Sequence, residues 1–189
     1  MSNEMKDWIL DKIEEEKEMI KIYPFLQVRD IDGTIDKKAK FPMVSLEIPD
    51  GWYKLFFQMC EDIKPLLEQE GVLDEFYFIQ VKEKYNELVC YSNGVASLEV
   101  EQIIQKYKYI SRYVCTNCGK PAEFETTGYL ASYCDDCRFD KVRHNACNVL
   151  EFSGTFELIR FARGQHRCIT IDVSDEWNRY IKENGYDTF

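Results

Sequence analysis

Basic charge and histidine are both scarce in this chain of 189 residues. It has two histidines, and 24 lysines and arginines against 34 aspartates and glutamates leave a formal charge of −10. A surface of that sign repels nucleic-acid phosphates and anionic lipid unless a local basic patch overrides it. A protein partner with a basic surface is therefore favoured, nucleic acid is disfavoured and no membrane association is expected. Long apolar runs are missing too. Residues 1–20 read MSNEMKDWILDKIEEEKEMI, with charges every few positions. That stretch has neither the apolar core of a signal peptide nor a membrane anchor, so a cytoplasmic protein is expected. GxGxxG, P-loop, HExxH and GxSxG signatures are absent, so no motif supports an enzyme, and no internal repeat is found.

What is present is core material. Hydrophobic residues make up 45% and aromatics 14% of the chain, enough apolar surface to offset the ordering entropy of a folded globular protein. Met5, Trp8, Ile9, Ile13 and Ile20 recur near helical spacing opposite Glu14, Glu15, Lys17 and Glu18, which predicts an amphipathic helix ending near Pro24. Asp30 to Lys40 reads as an exposed turn or loop. Val44, Leu46 and Ile48 alternate as a half-buried strand before the Pro49-Asp50-Gly51 turn. Trp52, Leu55, Phe56, Met59, Cys60, Ile63 and Leu67 then form a helical stripe, with Pro65 expected to kink or divide it before Gly71.

A hairpin follows, built from Glu75–Tyr85 and Leu88–Tyr91. Its turn is placed at Asn86-Glu87, where Glu87 fits positive φ poorly and leaves a longer or bulged connection open. Alternation puts Lys82 and Lys84 on one face and Val81, Glu83 and Tyr85 on the other. Glu83 then faces an apolar neighbourhood, either as a carboxylate of raised pKa or, more simply, as a partner for a nearby donor. Val100, Ile103, Ile104, Tyr107 and Ile110 mark a further helix with Ser97 as N-cap. In the tail, Thr155–Phe161 and Arg167–Val173 read as strands, and a closing helix follows with Ser174 as N-cap, Trp177, Tyr180 and Ile181 as its apolar face and Gly185 at its end.

The strongest signal is Cys115-Thr-Asn-Cys118, fifteen residues, then Cys134-Asp-Asp-Cys137, two tight knuckles able to place four sulfurs around a tetrahedral ion. Gly119 can take positive φ and turn amides toward the sulfurs, and Thr126-Thr127-Gly128 can turn a hairpin between the knuckles. This is a zinc-ribbon pattern, and four thiolates on Zn²⁺ leave no position for substrate, so the metal is expected to be structural. Free thiols, an iron centre with the same ligands and redox-active pairs are the alternatives. Redox use is disfavoured because neither CxxC is expected to open a helix after a clear strand, and Asp135 and Asp136 would raise thiol pKa values. Cys60, Cys90, Cys147 and Cys168 lack paired spacing and read as small hydrophobes, and His144 is a weaker substitute ligand. The expected class is α+β, an antiparallel sheet with packed helices and an embedded four-cysteine zinc ribbon. Its parts are an α+β domain at 1–114, the ribbon at 115–137, and a hairpin-plus-helix tail at 138–189 packed on the first domain.

Asp50-Gly51-Trp52-Tyr53, Gln80 to Tyr85, Leu88, Tyr91, Cys115 to Gly119, Gly128 and Cys134 resemble a group of short bacterial and phage proteins. That group carries a glycine-tryptophan turn, a VKEK strand and a CxxCG zinc motif. The resemblance covers somewhat under half of the chain. The group usually has a glycine pair where Asn86-Glu87 stands, and residues after Arg138 lie outside the match. The resemblance implies an accessory protein and no catalytic residues.

Three functions compete. The first is an acidic, zinc-stabilised protein-interaction factor, an inhibitor or regulator of a basic or nucleic-acid-handling protein. The second is nucleic-acid binding. Between Cys115 and Cys137 only Lys120 is basic, against Glu123, Glu125, Asp135 and Asp136, so Arg160, Arg163, His166 and Arg167 in the tail hairpin, with Lys82 and Lys84, are the better candidate binding residues. The third is a small-ligand binder or an enzyme without a recognisable motif, for which twelve tyrosines are more simply packing residues.

Overall fold

The computed structural model describes residues 3–141, 147–162 and 165–186. Among them the architecture is α+β, five helices with three small sheets. Helix α1 (Asn3–Ile22) runs into a 3-10 turn at Pro24–Leu26, whose Phe25 and Leu26 are fully buried. Strand β1 (Leu46–Glu47), helix α2 (Tyr53–Glu70), strands β2 (Phe78–Glu83) and β3 (Leu88–Ser92) and helix α3 (Leu98–Ser111) complete the first part. The order in its sheet is β1-β2-β3, with β1 parallel and β3 antiparallel to β2. The ribbon supplies β4 (Phe124–Thr126), β5 (Ser132–Tyr133), α4 (Asp135–Lys141) and β6 (Cys147–Val149), and the tail β7 (Thr155–Ala162), β8 (Gln165–Asp172) and α5 (Ser174–Glu183). No described helix is long and apolar enough to cross a membrane.

The α2 stripe is buried as its spacing predicts, from Leu55 through Leu67. It packs on an aromatic cluster in which Phe25, Phe56, Phe76 and Phe78 meet at centroid distances of 5.3–6.1 Å. Such tilted and edge contacts suit the ring quadrupoles. Pro65 does not divide the helix. It lies on the exposed face, so the carbonyl deprived of a partner can be solvated, while Ile63 and Leu67 anchor the chain on either side. Gly71 ends the helix at φ +72°. Ser97 caps α3 by accepting from the Val100 amide at 3.3 Å.

Other expectations shift. Along α1 the apolar stripe is only partly covered: Trp8 is 58% exposed, whereas Glu16, between Ile13 and Ile20 on the stripe's own side of the helix, is 7% exposed and accepts from the Met43 amide. The Val44–Ile48 strand shrinks to β1, although Val44 and Ile48 remain buried. Helix α4 and strand β6 have no counterpart in the sequence reading, and β6 pairs with β4, so the ribbon sheet (order β5-β4-β6) continues past Cys137. At α5 the expected Ser174 cap is replaced by Asp172, whose carboxylate accepts from the Ser174 amide at 2.8 Å. Cys60 is a core residue and Cys90 packs against that core. Cys168, by contrast, is exposed on the two-stranded β7–β8 sheet, where its thiol donates to Glu157.

The β2–β3 turn sits one residue earlier than its composition suggests. Lys84 and Glu87 exchange backbone hydrogen bonds across Tyr85 and Asn86, at φ +56° and +61°, a tight two-residue loop without a longer connection. Glu87 is thereby freed to pair with Lys108 at 3.1 Å. Asn86 is fully buried, and its amide donates to Glu125 at 2.9 Å and to Ser132 at 2.7 Å, pinning the hairpin tip to the ribbon.

Helix α5 lies across the first part. Gln58 donates to the Glu176 carbonyl, Lys106 pairs with Glu176 at 2.7 Å, and Arg179 joins Asp62 and Tyr107. The Tyr107 hydroxyl donates to Asp62 at 2.6 Å, and burial, followed by that bond, pushes its pKa far up.

Replacing Asn86 with glycine keeps the turn but removes both amide bonds, and is expected to cost about 1–3 kcal/mol in urea unfolding. Asn86→Ala adds left-handed strain of about 1–2 kcal/mol and should unfold earlier still.

Candidate metal centre

The ribbon begins where α3 ends. Val114 bridges Pro121, the Cys115 amide donates to the Lys120 carbonyl at 2.8 Å, and the Gly119 amide donates back to Cys115 at 3.0 Å. This closes the first knuckle. The second opens α4, with Cys134 before it and Cys137 inside its first turn. Contrary to expectation, this CxxC therefore does open a helix after a strand, because Asp135 and Asp136 are well placed in a first turn whose amides lack partners. The Thr116 amide donates to the Ser132 carbonyl at 2.9 Å, drawing the knuckles together.

The sulfurs of Cys115, Cys118, Cys134 and Cys137 all lie within 4.8 Å of one another, and those of Cys118 and Cys134 are 3.6 Å apart. A tetrahedral ion with bonds of ~2.3 Å holds its sulfurs about 3.8 Å apart, so the quartet fits a single thiophilic metal. Cys115 and Cys134 are buried, Cys137 is half-buried and Cys118 is exposed. Without metal, burial pushes the Cys118 thiol up to about 11 and raises Cys134 further. Partial burial also opposes ionisation of Cys137, but hydrogen bonds from the Asn117 amide, 3.3 Å from its sulfur, and from the neighbouring thiols outweigh it and hold this thiol low. Metal uptake must therefore expel protons.

Two distant segments grip the first knuckle. Gly51 lies flat against it, its amide donating to the Thr116 carbonyl at 3.1 Å. A Cβ at Gly51 would meet the Cys115 oxygen at 2.1 Å and the Gly119 nitrogen at 2.7 Å. A Cβ at Gly119, at φ +81°, would meet the Gly51 oxygen at 2.8 Å. The buried Trp52 indole donates to the Val114 carbonyl at 3.0 Å, and the Tyr180 hydroxyl of α5 donates to the Gly119 carbonyl at 2.6 Å. Gly119 takes the positive φ its place after the first cysteine pair suggests, but Gly51, Trp52 and Tyr180 were not expected at the site, and Gly51-Trp52 reads locally as an ordinary turn.

The remaining candidate residues are not drawn to the centre. Lys82 and Lys84 extend over the Tyr91 and Tyr85 rings. Tyr85 itself is 75% exposed at the turn, off the buried face that alternation assigns it. Arg160 sits opposite Arg167, and Phe161 opposite His166, on the separate β7–β8 sheet. Arg163 and His144 lie outside the described residues. Glu83 accepts from the Asn86 amide at 2.7 Å and from the Tyr129 hydroxyl, the plainer of its two readings. Lys120 is paired with Asp136 at 2.9 Å.

Gly51→Ala forces the knuckle away from α2. It is expected to lower stability by about 1–3 kcal/mol and to speed metal loss to a chelator, read by melting and by release kinetics. Because thiols must ionise to bind, affinity should rise with pH, and acidification should strip the ion.

No family model matches the chain, and comparison with curated proteins and with solved structures gave no match, so function rests on the chemistry of the site.

Proposed function

We propose that the protein is a non-enzymatic, zinc-stabilised acidic factor that acts by binding a protein partner with a basic surface. The observation that carries the metal assignment is the closed sulfur quartet, which suits Zn²⁺ as a structural ion and offers no open coordination position. Iron with the same ligands is the lesser alternative. Zinc in such a site contributes about 10 kcal/mol or more, comparable with the whole stability of a domain. Its role is to hold the knuckles against Gly51, Trp52 and Tyr180.

Charge supports the partner assignment. The chain carries −10, and the one lysine between the knuckles is already neutralised by Asp136. With Asp136 paired to Lys120 and Asp135 to Arg138 at 3.4 Å, Glu123 and Glu125 leave the ribbon net acidic, which repels phosphate and attracts lysine and arginine. Inhibition or regulation of a basic or nucleic-acid-handling protein is the role this chemistry suits, and the resemblance to bacterial and phage accessory proteins suggests the setting.

Metal analysis of the purified chain should return one zinc per chain, released only on unfolding. Cys134→Ser should bind none and lose the ribbon's protected amides. Affinity capture should retain a basic protein that salt releases. A metal-free but stably folded chain would sink the metal assignment, and salt-sensitive retention of nucleic acid in place of protein would sink the partner assignment.

A further inference from the structure

Among the described residues the exposed cysteines are Cys118 and Cys168. Their chemistry differs. The Cys168 thiol donates to Glu157 at 3.1 Å, and that hydrogen bond raises its pKa and keeps the sulfur protonated and poorly nucleophilic. Cys118 belongs to the sulfur quartet, and a sulfur that ligates a metal is already a thiolate. Thiolate character and exposure together set where an oxidant reacts, so Cys118 is the preferred target.

The quartet meets solvent on one side. Cys115 and Cys134 are buried and Cys137 is half-buried, so a small oxidant reaches Cys118 first. Across the gap between the knuckles, the Cys134 sulfur lies 3.6 Å from that of Cys118. A disulfide needs them about 1.5 Å closer, a shift that side-chain rotation can supply. Cys115, in the same knuckle as Cys118, has less freedom to move. The Gly51 backbone lies against its carbonyl, and its amide is bound to the Lys120 carbonyl.

We infer that the quartet is a peroxide-sensitive switch, in which hydrogen peroxide oxidises Cys118, Cys134 closes on it as a disulfide, and the site lets its ion go. The inference rests on the metal reading above and goes beyond it, since a structural ion then stays only while the sulfurs are reduced. The Cys118 thiolate attacks one peroxide oxygen; an S–O bond forms, the O–O bond breaks and hydroxide leaves. The Cys134 thiolate then attacks the Cys118 sulfur; the S–S bond forms, the S–O bond breaks and a second hydroxide leaves. Two electrons pass from the two sulfurs to the peroxide, and both hydroxides take solvent protons to become water. Cys115 and Cys137 alone remain to hold the ion, two ligands where four closed it. A bond across the knuckles keeps them joined, so a dithiol that reduces it restores the full quartet.

The test treats the full zinc-loaded chain with hydrogen peroxide, follows zinc with a chromogenic chelator and locates the disulfide by peptide mapping. Without oxidant the folded chain keeps its ion, so release reads the oxidation. One zinc should leave per chain as two of the eight thiols are lost, and the mapped bond should join Cys118 to Cys134. Dithiothreitol with added zinc should restore the metal content. Cys118→His supplies a nitrogen ligand but no sulfur to oxidise, and should keep zinc while slowing its release about tenfold or more. Cys168→Ser should release zinc as fast as the unaltered chain. Mapping in the unaltered chain does not depend on how well Cys118→His folds. A bond within one knuckle, thiol loss confined to Cys168, or equally fast release from Cys118→His overturns the switch. A chain that carries zinc and keeps it under peroxide also overturns the switch while leaving the metal reading intact. A chain with no zinc before peroxide is added removes the metal reading and the ion release together, and the mapped bond then judges the Cys118–Cys134 link alone.

Discussion

The close approach of two backbones, Gly51 on the Cys115–Gly119 knuckle, is the constraint on which the structure turns. Neither strand of chain has room for a side chain at the contact. The knuckle's shape is set by its sulfurs, and its position is set by what presses on it: the glycine-tryptophan turn, the α5 tyrosine and, through Ser132, the tip of the β2–β3 hairpin. An ion that closes the sulfurs therefore stabilises the junction of all three parts of the chain as well as the ribbon. Metal binding and folding become one equilibrium.

Under the proposed function, such coupling gives a closed site a use. A fourth sulfur where a catalytic metal would keep water spends the ion wholly on rigidity. Rigidity lowers the entropy a surface must lose when a partner arrives. The chain so held is acidic overall, with a formal charge of −10.

Much was legible locally. The α2 stripe, the Ser97 cap, the Gly71 stop and the tail hairpin follow from spacing and turn chemistry, which are read within a few residues. The hairpin turn was missed by one position because composition does not say which residue of Tyr85-Asn86-Glu87 leaves the tight pair. The answer came from the ribbon, whose Glu125 and Ser132 take up the Asn86 amide. Pro65 failed to break its helix because burial on either side of it outweighs one lost hydrogen bond on the wet face. Strand β6 was invisible because three residues carry too little periodicity to announce a strand.

By itself, the sequence determined which four cysteines gather and the class of fold. Cysteine pairs at knuckle spacing and apolar residues at period 3.6 or 2 are properties of the chain's own covalent order. Tertiary structure alone decided what clamps the four-sulfur cluster. Gly51, Asn86 and Tyr180 act on partners 64–68, 39–46 and 61 residues away, and Glu16 gains its meaning from Met43. Such contacts depend on how elements meet in space, and a local pattern holds no record of its distant partner.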